Sequence, residues 1–115
     1  MCNQFFVTLF KGANSTYDLP MFYKLEDRQI IACSAIETGE WMRTADRHVD
    51  YTSINGHEIS TVFLGVDHNH TDEGDPILFE TGIFNDDNNM IEMKRYLTWE
   101  QATKGHKEFV KKYSD

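Results

Sequence analysis

VDYTSINGHEISTVFLGV, residues 49–66, sets two runs of β-branched and apolar residues on either side of Asn55-Gly56. Both central positions of a type I′ turn need positive φ, which Asn and Gly adopt at least cost, so the stretch predicts an antiparallel hairpin. Its second arm is apolar on both sides, with Ile59 and Phe63 on one and Val62, Leu64 and Val66 on the other. That pattern suits a central strand covered above and below.

Working outward, ILFETGIF (77–84) reads as another covered strand, with Pro76 at its start where a missing N–H does no harm. MIEMKRYL (90–97) is its expected partner across the polar loop from Asn85 to Asn89. MFYKL (21–25) and QIIAC (29–33) flank Glu26-Asp27-Arg28 and predict a second hairpin. FFVTLF (5–10) is a further strand candidate, ended by the turn-forming Lys11 to Ser15. Ser34 and Glu37 form a capping box that predicts a helix from 35 to about 45. Thr98 and Gln101 form another, and Trp99, Ala102, His106, Phe109, Val110 and Tyr113 follow as one apolar stripe at helical spacing. The fold class expected is α+β, one domain over 1–115: an antiparallel sheet of five or six strands with one or two helices on one face.

Composition bounds the function. The 115 residues include 19 Asp plus Glu against 11 Lys plus Arg, a net charge of -8, so nonspecific attraction to phosphate is absent and direct nucleic-acid binding is not expected. Hydrophobic content of 40% with 13% aromatic is globular, not that of a disordered acidic tail. The cysteines, Cys2 and Cys33, make no disulfide framework and fit a reducing, cytoplasmic setting. No apolar run reaches the roughly 18 residues of a membrane span, so no membrane role is expected.

Function, if chemical, would gather around DHNHTDEGDP (67–76), with two histidines and four carboxylates. His68 and His70 alternate, so on a continuing strand both imidazoles would share a face, and Asp67 or a neighbouring carboxylate would complete a site for one divalent metal. The plainer reading is a solvated loop after a strand. Glu80 sits in the middle of an apolar run, where a carboxylate needs a partner. Arg47, Arg95 or His68 would supply it, and Asp67, His68 and Glu80 would converge as a catalytic cluster if the strands pair in register. His106, on the apolar stripe, reads as a helix-packing histidine. Neither a dinucleotide-binding nor a Walker sequence occurs, so no organic cofactor is expected.

Several words stand in one order: Trp41 with Thr44 to Arg47, Ser60-Thr61-Val62-Phe63-Leu64-Gly65-Val66-Asp67-His68, Leu78-Phe79-Glu80-Thr81 with Ile83-Phe84, and Tyr96 to Ala102 with Gly105-His106. From Phe22 onward the chain resembles a family of small uncharacterised proteins encoded by bacteriophages and prophages. The resemblance implies a phage origin, with action in the cytoplasm of an infected bacterium, and no assigned activity. It does not extend to His70, since similar proteins tend toward glycine and phenylalanine after His68. The function expected is a non-enzymatic accessory protein that binds a host or phage macromolecule, or sequesters a small ligand, in counter-defence. The alternative is a small metal-dependent hydrolase using Asp67, His68, His70 and Glu80. Homodimer formation is the association that a small open sheet invites.

Overall fold

The computed structural model describes residues 21–71 and 73–115. The strand expected at 5–10, the turn after it, Cys2 and Asp72 lie outside the described residues. Among those described, the order is β1 (Phe22–Glu26), β2 (Gln29–Cys33), α1 (Ala35–Met42), β3 (His48–Ile54), β4 (His57–Phe63), β5 (Phe79–Phe84), β6 (Met90–Tyr96) and α2 (Trp99–Lys112). The fold is α+β and every pairing is antiparallel. The six strands fall into a four-stranded sheet, β3-β4-β5-β6, and a separate two-stranded one, β1-β2, where one sheet was expected.

Gly65 accounts for the division. The apolar run from His57 continues past Phe63 in sequence, but Gly65 takes φ +78, a left-handed conformation that no strand holds. The strand therefore ends at Phe63 instead of Val66. Beyond it, Gly65 and Val66 pair with the first hairpin: Tyr23 N–H donates to Gly65 O at 2.8 Å, and Phe22 bridges Val66. Ile77 and Leu78 likewise stay outside the sheet, bonded to His68 and Leu64.

The chain thus divides into two compact units, interleaved without a linker: Met1–Asp46 with Leu64–Leu78, and Arg47–Phe63 with Phe79–Asp115. In the first, β1 and β2 turn through Asp27 (φ 51) and Arg28 (φ 68), a primed turn made without glycine. Ser34 caps α1 by accepting from Glu37 N–H at 3.1 Å, as the capping box predicts. Thr38 is buried, its hydroxyl 3.0 Å from Cys33 Sγ and 3.4 Å from Tyr23 O, which ties α1 to the hairpin.

In the second unit the Asn55-Gly56 turn has φ 49 and 76, and β4 is central as expected, but cover on both sides is not met. Ile59, Thr61 and Phe63 are buried, whereas on the other face Glu58 is exposed and Ser60 and Val62 are half-buried, Leu64 and Val66 lying beyond the strand's end. Helix α2 packs on the face formed by Ile59, Thr61 and Phe63 of β4 and Phe79, Thr81 and Ile83 of β5, all wholly buried. Burying an Ile or Phe side chain contributes roughly 1.5–3 kcal/mol, so this face is the main source of the unit's stability. Phe109 joins Ile59 and Ile83 in the core, with Ile54, Val110 and Tyr113 packed against them. The cap at Thr98 accepts from Gln101 N–H at 3.1 Å, while the Gln101 side chain accepts from Leu97 N–H, one residue earlier than the usual box.

Candidate functional site

The acidic decade is a braced loop. Asp67 is buried, and its Oδ1 accepts from Asn69 N–H at 2.7 Å and Ile77 N–H at 2.9 Å, drawing the two ends of the loop together. Asn69 organises the interior by donating to Glu73 O and Asp75 O and accepting from both N–H and Oγ1 of Thr71. The His68 ring turns back to its own backbone, Nδ1 lying 2.8 Å from Val66 O, and His70 is exposed, its ring centroid 6.3 Å from that of His68. Among the described residues no three His, Cys, Asp or Glu side chains are grouped to hold a metal ion. Of the Asp67 carboxylate, Oδ1 is committed to the loop's amides.

Glu80 finds the partner its position demands. It lies opposite Arg95 across the β5–β6 pair, and Arg95 Nε donates to Oε1 at 3.0 Å. Both face away from α2, since the alternate residues Phe79 and Thr81 fill the helix side. Asp67 and His68 belong to the first unit and Glu80 to the second.

The second unit also holds a polar chain through its core. His106 is buried to 1% exposure between α2 and the sheet. Its Nε2 is 2.9 Å from Thr52 Oγ1 and 3.7 Å from the Asp50 carboxylate, and its Nδ1 is 2.7 Å from Thr61 Oγ1, which is 2.5 Å from Thr81 Oγ1. The carboxylate favours the proton on Nε2, so Nδ1 accepts from Thr61 and Thr61 accepts from Thr81. Burial pushes the imidazole below its ordinary pKa, with Asp50 acting in the opposite sense. An Asp–His–Thr order has the connectivity of a nucleophilic relay. Here Thr61 is wholly buried and shared with Thr81, so no substrate reaches its oxygen. The chain of groups fastens the helix to three strands.

The accessible feature of this unit is a groove between β6 and α2. It encloses about 380 Å³ along Lys94, Tyr96, Gln101, Lys104, Gly105 and Glu108, and runs on past Phe109 to Lys112. Gly105 makes it possible: a Cβ there would collide with the Tyr96 ring, so the glycine lets helix and strand approach over a buried tyrosine floor. Residues 90–115 carry six Lys plus Arg and four Asp plus Glu, net +2, whereas residues 1–89 carry five and fifteen, net -10. Lys112 is bound to Glu92, which Tyr113 also contacts at 2.5 Å. Lys94, Lys104, Lys107 and Lys111 make no ion pair among the described residues. On the opposite face of β6, Met90 and Met93 are exposed, as is Ile91.

Comparison with protein-family models, curated proteins and solved structures finds no match for this chain. Sequence reasoning missed both the core relay and the groove. The relay left a signal, threonine at the inward positions of two strands otherwise filled by Ile and Phe. The groove's signal was the crowding of cations into the last quarter of an acidic chain.

Proposed function

We propose that the protein is a non-enzymatic binding protein, recognising a macromolecule through the β6–α2 surface. The observation that carries this reading is the segregation of charge: unpaired lysines line an accessible groove on a strongly acidic chain, beside exposed Met90 and Met93. Opposed charge speeds encounter and selects partners, and the apolar neighbours supply contact area. The groove is open and shallow, which suits a macromolecule better than an enclosed small ligand. The resemblance to phage proteins adds that the partner would be a host or phage component in the cytoplasm of an infected cell, where counter-defence is one use of such binding.

Two observations weigh against the hydrolase reading. Glu80 is held by Arg95, and Oδ1 of Asp67 accepts from its own loop's amides. Crosslinking in infected cells followed by mass spectrometry tests the proposal. One predominant partner is expected, recovered less well as ionic strength rises and lost in the Lys94→Glu, Lys104→Glu double variant. Capture indifferent to salt and charge reversal would overturn it, as would elemental analysis giving near one transition-metal ion per purified chain.

A further inference from the structure

Strand β6 ends the four-stranded sheet, and among the described residues it pairs with β5 alone. Among the described residues its outer edge therefore presents a row of backbone N–H and C=O groups without a partner strand, the arrangement that accepts an added strand. The two sides of that edge differ in chemistry. On the helix side stand Lys94 and, across the groove, Lys104; on the other stand Met93 and Met90. An incoming strand alternates its side chains, so one set would meet lysine and the other methionine.

We infer, building on the binding reading above, that β6 is a docking edge for an extended acidic segment of a partner polypeptide. The segment adds a fifth strand, with carboxylates toward Lys94 and Lys104 and apolar residues beside Met93. Two alternatives fit the edge less well. A nucleic-acid strand offers phosphate oxygens, which match the lysines but are repelled by the carbonyls that make up half of a strand edge; the groove's aromatic rings, Tyr96 and Phe109, are buried and closed to base stacking. A second copy pairing β6 to β6 opposes Lys94 to itself when centred there, and when centred on Met93 opposes it to a Glu92 already held by Lys112 and Tyr113, so self-pairing gains little from charge.

Hydrogen exchange on the intact protein tests this with blocked peptides of roughly ten residues, about the upper length of ordinary strands. The probes alternate Glu with Val, Lys with Val, or Glu with Val carrying N-methyl groups on alternate amides, and an oligothymidylate of similar length is run beside them. The Glu–Val peptide is expected to slow exchange in residues 90–96 by about tenfold or more. The Lys–Val peptide and the N-methylated peptide are expected to leave it unchanged. The Lys94→Glu, Lys104→Glu variant should weaken the Glu–Val peptide by about tenfold while α2 keeps its own protection, which shows the fold intact. Equal binding of the N-methylated or Lys–Val peptide, or protection of β6 by the oligonucleotide alone, overturns the inference. If crosslinking finds a charge-dependent partner yet no peptide slows β6, strand addition falls and the binding reading stands. Slowing of β6 by the Glu–Val peptide without any cellular partner supports the edge and removes the wider reading.

Discussion

His106 holds α2 against the sheet as a neutral imidazole, and that fixes the direction of its pH response. Its folded pKa lies below the ordinary value near 6.5 because burial disfavours the cation more than Asp50 favours it. The unfolded chain therefore takes up the proton first as pH falls. The stability contributed by the neutral ring is complete above about 6.5 and declines as the pH drops from there toward the folded value. Chemical denaturation between pH 7 and pH 5 is expected to show this decline, and His106→Gln, which keeps a donor and an acceptor, is expected to flatten it at some loss of overall stability. An unchanged slope in the variant would transfer the effect to other groups. In the first unit, burial and then the charge of Asp67 push the Tyr23 phenol above its ordinary value, so Tyr23 stays neutral and adds nothing to this window.

At the scale of elements, Gly105 governs how closely α2 lies on β6. Gly105→Ala improves helix propensity by about 1 kcal/mol but drives a methyl group into the Tyr96 ring. Overpacking of that kind costs roughly 1–3 kcal/mol, so net destabilisation is expected in thermal or urea unfolding. Loss of signal from the lysines of the groove in peptide titrations would accompany it. Helices and hairpins were largely legible in the sequence because their signals are local: Ser34 and Thr98 cap helices, Asn55-Gly56 turns a hairpin, and short apolar runs bounded by turn residues mark β4 and β5. The end of β4 was not legible. Leu64, Gly65 and Val66 read as strand on hydrophobicity, and only the tertiary demand of β1 turns Gly65 to positive φ.

Over the whole molecule, the expected site and the observed surface differ for one reason. Histidine and carboxylate spelling draws attention to 67–76, but a spelling does not distinguish a ligand from a loop brace, and Asp67 and Asn69 spend their hydrogen bonds on neighbouring backbone. Glu80 was legible as a carboxylate in need of a cation, and Arg95 was among the three residues expected to supply it. The groove escaped notice because net charge averages over the chain. Its lysines lie on β6 and on α2, brought together where the helix meets the face of β6 at a glycine.

The interleaving of the two units also orders their completion during synthesis. A nascent chain arrested after Leu78 contains every residue of the first unit, but of the second only Arg47–Phe63. That fragment is a lone two-stranded ribbon without β5 or α2, and such a ribbon is marginal in water. Brief proteolysis of the released 1–78 fragment should cut chiefly within residues 47–63, and the same bonds should be resistant in the full chain.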